Sequence, residues 1–229
     1  MRLLLKDEWQ VNLALRDGIP QLTIQNFIED IYNLITSLTS KNYNHEIYGI
    51  AMTLCHYYYY YKSFREFDRL ELSVACVYVA CKMKLILIPM EAVVDMYKKK
   101  KEEQGSVCKS ELPDFLKYEI EMYKILGFDL EIDTPYNWFY IYEREPKWKC
   151  FSDEKVKNVL FNIINDTYRK ALCLYYHSKI IMVSAMLFTI KFLEMKDVDK
   201  EMLIKDLDVN ELKECMEKIN EMFSEIVKK

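Results

Sequence analysis

The sequence predicts an all-α protein made of two consecutive five-helix repeats preceded by an N-terminal helix, and three features lead there. Apolar residues recur at helical spacing almost from end to end, with no convincing strand. Turn-formers are scarce: 4 Gly and 5 Pro in 229 residues suit helices joined by short loops. A nine-residue pattern also occurs twice, "VACVYVACK" at 74–82 and "VSAMLFTIK" at 183–191, a shift of 109 residues.

Taken in order, residues 1–20 read as the N-terminal helix and its linker, 21–131 as the first repeat and 132–229 as the second. Ile24, Phe27, Ile28, Ile31, Leu34, Ile35 and Leu38 follow the i, i+3, i+4, i+7 template of a helix with one buried face. Ile47, Ile50, Ala51, Leu54, Tyr58 and Tyr61 repeat it, with Asn44 placed as N-cap. Five tyrosines at 57–61 sweep about 400° around a helix, so one core face cannot hold them all. Tyr58 and Tyr61 are assigned to the core stripe and the others to interlayer or solvent positions. The run "KKKKEEQG" at 98–105 reads as a solvated loop, with nuclear localisation as a second meaning. Gly127 is placed as a helix stop after "EIEMYKIL". In the linker "EIDTPY" (131–136), Thr134 is a cap and Pro135 a first helical residue. Asp208 with Glu211 has the form of a capping box for the last helix.

The stretch "LSVACVYVAC" at 72–81 carries enough β-branched residues for a buried strand, but with its flanks it is too long for one. A helix apolar on every side is one surrounded by other helices. Ala75, Cys76, Ala80 and Cys81 are small, so neighbours can approach closely. Lys82 then closes the helix, as Lys191 closes its counterpart, and each follows a tyrosine-rich segment, "YYYYYKSF" and "LCLYYHSK". Both are the central helices of their repeats.

Composition narrows the function. Hydrophobic residues make up 51% and charged residues 30%, which suits a globular chain. A net charge of −4 argues against a protein that coats nucleic acid, and no direct nucleic-acid partner is expected. The opening "MRLLLKDEW" is too short in apolar residues for a signal peptide, and no run reaches membrane-spanning length, so no membrane partner is expected. Seven cysteines without a CxxC pair fit buried thiols in a reducing compartment. His45, His56 and His177 lie far apart with no ligand spacing, and no phosphate loop or nucleophile motif is present. The chain is therefore expected to be no enzyme, with no catalytic residue, metal or cofactor.

Four blocks, in order, resemble the cyclin family. "RDGIP" is similar to the segment joining the N-terminal helix to the first cyclin box. "YYYYYKSFREFDRLELSVACVYVACK" is similar to the box run that ends in a lysine. "EIEMYKILGFDLEIDTPYNWF" is similar to the exit from the first box into the second. "NDTYRKALCLYYHSKIIMVSAMLFTIKFL" is similar to the second-box stretch of the cyclins of transcription and RNA processing, the C, H, K, L and T types. The resemblance implies a non-catalytic subunit that binds and activates a cyclin-dependent protein kinase, placed in the nucleus and also in the cytoplasm.

By position, Lys82 matches the family's lysine and Glu119 its partner glutamate, the pair that grips the backbone of a kinase helix. Met83, Tyr123, Phe128 and Leu130 match its apolar contacts. The heads of Lys82 and Glu119 are accordingly expected close together and partly exposed at one edge of the first repeat. Two departures stand out. Lys84 and Leu85 replace the Glu-Glu that many cyclins carry there, and "TIQNFIEDIYNLITSL" lacks the Met-Arg-x-Ile-Leu docking motif of cell-cycle cyclins. The alternative is a transcription-factor-IIB-like core that binds DNA and a TATA-binding protein. That class calls for a basic face and a zinc ribbon ahead of the repeats, whereas this chain is acidic and begins almost at its first helix.

Overall fold

The computed structural model describes residues 18–39, 43–65, 67–105, 113–196 and 198–227, with side chains described as far as Ser224. These residues form ten α-helices and three short 3-10 turns, with no strand among them. None of the described helices is long and apolar enough to cross a membrane. The helix expected over 1–20 lies, apart from Gly18–Pro20, outside the described residues.

The chain divides into two compact units between Ile132 and Asp133. The first holds α1 (Gln21–Thr39), α2 (His45–Tyr61), α3 (Arg69–Met83), α4 (Met90–Glu103) and α5 (Phe115–Ile125). The second holds α6 (Pro135–Glu143), α7 (Glu154–Thr167), α8 (Ser178–Phe192), α9 (Lys200–Ile204) and α10 (Val209–Val227). Its 3-10 turns are Pro146–Ser152, Tyr168–Lys170 and Leu172–Leu174. The segment expected as a tyrosine-rich helix end ahead of α8 is thus a pair of tight turns. Ala171, at φ +51°, separates them and ends the helical path.

Helix α3 is the centre of the first unit. Asp68 caps it, its Oδ1 accepting from the Leu70 and Glu71 amides. Leu70 and every residue from Leu72 to Cys81 are buried, because α1, α2, α4 and α5 all pack against it. Burial drives the Cys76 thiol far above its ordinary pKa, as suits an inert core cysteine. Helix α8 has the same length and is packed by α6, α7, α9 and α10. It is less enclosed: Leu187 and Phe188 are half-buried.

Both central helices close alike. The Leu85 and Ile86 amides donate to the Lys82 and Cys81 carbonyls at 3.0 and 2.8 Å. The Glu194 and Met195 amides donate to Lys191 and Ile190 at 3.4 and 3.0 Å. This closure needs a left-handed residue, usually glycine, yet Leu85 and Glu194 hold it at φ +58° and +52°. At the end of α5, Gly127 fills the same position at φ +61°, as the sequence predicts. A side chain in this conformation costs about 1 kcal/mol. Leu85→Gly is therefore expected to raise stability by about that amount, read as a higher urea midpoint at unchanged slope.

Three sequence expectations need correction. Tyr61 is 49% exposed and not core, whereas Tyr57, Tyr58 and Tyr59 are all buried. Helix α2 lies between α1, α3 and α5 and is enclosed from Ile47 to Tyr59, so burial there follows no single stripe. Phe27 of α1 is half-buried, held by the Phe64 ring at 5.4 Å and the Arg69 guanidinium at 4.5 Å. The charged run at 98–105 is helical as far as Glu103. Lysine and glutamate are good helix formers, Lys100 pairs with Glu103, and Lys100 and Lys101 complement the C-terminal dipole.

The second unit begins at Asp133. Its carboxylate accepts from the Trp138 indole at 2.6 Å, and its carbonyl accepts from the Ser178 hydroxyl at 2.9 Å, tying the starts of α6 and α8 together. Thr134 is the N-cap of α6 and Pro135 its first residue, but the Thr134 hydroxyl meets Asn137 Oδ1 instead of an amide. Thr134–Tyr136 are buried, so the linker read at 131–136 is in its second half part of the folded unit. Asp208 caps α10, accepting from the Asn210 and Glu211 amides.

Candidate partner-binding edge of the first unit

The end of α3 and one face of α5 meet to form the site. Lys82 lies in the last turn of α3, its stem leaving the enclosed core and its ammonium 5.2 Å from the centre of the Tyr78 ring. Asp114 caps α5 through the Lys117 amide, which starts the helix so that Phe115, Tyr118, Glu119 and Met122 turn inward. Glu119 Oε1 accepts from Lys82 Nζ at 2.5 Å and from the Tyr123 hydroxyl at 2.8 Å. The structure thus joins Lys82, Glu119 and Tyr123, three of the residues singled out in the sequence.

The expectation for Glu119 is corrected in one respect. Lys82 is partly exposed, but the Glu119 side chain retains only 8% of its accessible surface. A buried carboxylate carries a desolvation cost, offset here by a cation and a phenol on the same oxygen. The hydrogen bond to Glu119 raises the Lys82 pKa above its ordinary value. The stabilisation from that bond is complete at neutral pH and disappears only as pH rises through the raised value. Burial, reinforced by Glu119, pushes the Tyr123 phenol up to about 12. Among the described residues, Glu119 Oε2 has no hydrogen-bond donor, and Lys82 has no second acceptor. Glu121, two residues on, faces elsewhere: it accepts from the Tyr58 hydroxyl at 2.8 Å and lies 3.7 Å from Lys62.

An apolar surface flanks the pair. Leu116 and Ile120 share the helical face of Glu119 and Tyr123, and each is 53% exposed. Met83 is half-buried beside Lys82. Past the turn, Leu85 and Leu87 are nearly fully exposed. Phe128 and Leu130 are also exposed, on the turn and loop that leave α5, with Phe128 held at φ +62°. Among the described residues, no hydrogen bond, ion pair or ring contact joins these last two to Lys82 or Glu119. Sequence reading singled out neither Leu116 and Ile120 nor Leu87. For Leu87 the run "KLILIP" was the nearest signal, four apolar residues between a helix end and a proline, while Leu116 and Ile120 had none.

No family model matches the chain. Its sequence is similar to Cyclin-T1-5 of Arabidopsis thaliana, 27% identical over 156 residues, which are 64% of this chain and 26% of that protein. It is also similar to Cyclin-C1-2 of the same plant, 23% identical over 73% of this chain and 64% of that one. The chain spans about a quarter of the length of the T-type relatives it matches. Among solved structures, a chain of the yeast RNA polymerase II CTD kinase CTDK-1 complex aligns with a TM-score of 0.75 at 13% identity, covering 95% of this chain and 72% of that one. A chain of the yeast TFIIK (Kin28/Ccl1/Tfb3) complex gives 0.66 at 18% identity, covering 96% of both. The fold is the all-α cyclin fold, and the resemblance to the transcription-type cyclins read in the sequence holds.

Proposed function

We propose that this chain is a regulatory subunit, itself without catalytic activity, that binds and activates a cyclin-dependent protein kinase in transcription or RNA-processing control in the nucleus. Residues 21–131 and 132–229 serve as its two cyclin boxes. The observation that carries the reading is the Lys82–Glu119 pair, fixed by Tyr123 and bordered by exposed apolar side chains. Lys82 keeps donor capacity and Glu119 keeps acceptor capacity, which suits the two ends of a short helix in a partner. Met83, Tyr123, Phe128 and Leu130 supply apolar contact in this reading, and Leu85, Leu116 and Ile120 extend it. A preformed polar pair within an apolar border is how a binding surface joins orientation to affinity.

The test is a pull-down from the native cell followed by reconstitution. A protein kinase is expected to copurify and to gain activity when the purified chain is added. Phosphotransfer by the chain alone, or a copurifying kinase whose activity does not rise, overturns the proposal.

A further inference from the structure

The second unit carries an open groove of about 780 Å³ whose described lining residues come from α7, α8 and α10. Phe188 and Phe223 stack at 4.8 Å along it, Val159 and Ile163 line the α7 side, and Phe192, 65% exposed, stands at the end of α8. Among the described residues, Lys191 is the one charged residue in this lining, and no carboxylate accompanies it. Among the described residues, no hydrogen bond or ion pair joins the Lys191 ammonium to another side chain or carbonyl.

Lys191 also occupies the place in α8 that Lys82 occupies in α3, three residues before the left-handed turn in each case. In the first unit the fifth helix brings Glu119 to that lysine. In the second, the corresponding wall of α10 offers Asn220, Phe223 and Ser224 instead. The first unit neutralises its lysine internally, and the second leaves the cation for something else.

We propose that this groove binds an amphipathic helix of a partner protein, with apolar anchors at i, i+3 or i+4 and an acidic residue that meets Lys191. The walls decide for a helix. All three are α-helices whose main-chain groups are used within the helices, so no sheet edge is present for an extended peptide to join. A ligand that satisfies its own main chain and offers only side chains fits such walls. The cation decides for an acidic residue: a partner carboxylate here makes a charge-assisted bond beside aromatic rings that exclude water. Two copies of this chain facing each other through the groove would set each Lys191 against a lining in which no described residue carries a carboxylate. The site is separate from the kinase reading of the first unit and stands or falls without it.

The experiment places a photocrosslinking phenylalanine analogue at Phe192 of the full chain in its native cell, with the crosslinked peptides mapped by mass spectrometry. The expected product joins position 192 to one segment of a different protein, with helical apolar spacing and an acidic residue within one turn. Lys191→Glu is expected to lower the crosslink yield about tenfold at an unchanged melting temperature. Changing the mapped acidic residue to lysine should restore it in the Lys191→Glu background. Lys82→Ala should leave the crosslink in place, which separates a failure here from a failure of the kinase reading. Crosslinks scattered over many proteins, crosslinks to a second copy of this chain, or a yield indifferent to Lys191→Glu would each overturn the proposal.

Discussion

Removing Lys82 and Glu119 together is expected to weaken kinase binding by about 2–5 kcal/mol, the range for losing hydrogen-bonded charges at an interface. The stability pattern should be more telling than the affinity. Lys82→Ala leaves the buried Glu119 carboxylate with Tyr123 alone, and stranding a charged acceptor costs about 1–3 kcal/mol or more. Glu119→Ala frees Lys82 to reach water, since it is already partly exposed, and strands only a half-buried phenol. The double variant removes the stranded charge, so its loss of stability should be smaller than the sum of the single losses. Calorimetric titration against the copurified kinase and urea unfolding of each variant measure the two quantities. Unaltered kinase affinity in the double variant would remove this edge from the proposed interface and leave the pair a structural one.

Tyr58→Ala should destabilise the first unit by about 3–5 kcal/mol, as expected for emptying a buried aromatic site. The ring is 1% exposed, packs edge-on to Phe67 at 5.1 Å, and its hydroxyl holds Glu121. Burial and the Glu121 hydrogen bond push its phenol far above the ordinary tyrosine value, so the hydroxyl stays a donor at any working pH. Tyr61→Ala, three residues on, should change stability by less than about 0.5 kcal/mol. Equal losses for the two would contradict the burial described for α2.

Those two tyrosines show where sequence reading stops. Periodicity alone gave them the same role, because residues three apart on a helix share a face. What separates them is the end of α2: Tyr61 is its last residue and half-exposed, and no spacing rule carries that information. The central helix α3 was legible because small and apolar residues on every side admit only one environment. The Lys82–Glu119 pair came through family resemblance, not pattern. Glutamates at 119 and 121 look alike in the sequence, and only the packed α5 shows that one meets Lys82 and the other Tyr58. The helical charge run at 98–103 was missed because its apolar anchors, Val93 and Tyr97, lie ahead of it. The left-handed Leu85 had no signal at all, since a leucine is what that position normally avoids.

A helix enclosed along its whole length has little freedom to change, because each substitution must be answered by neighbours on several sides. In α3 that rigidity stops at Cys81, and the eight residues from Lys82 to Pro89 are outside it. Lys82 still holds the buried Glu119 carboxylate and Lys84 pairs with Glu46, but the five residues from Leu85 to Pro89 form a module whose side chains can be exchanged while the domain that displays them stays as it is. On the proposed function, swapping this segment between proteins of the same fold is expected to redirect the choice of partner, with the left-handed turn at Leu85 fixing the angle at which the transplanted residues are offered.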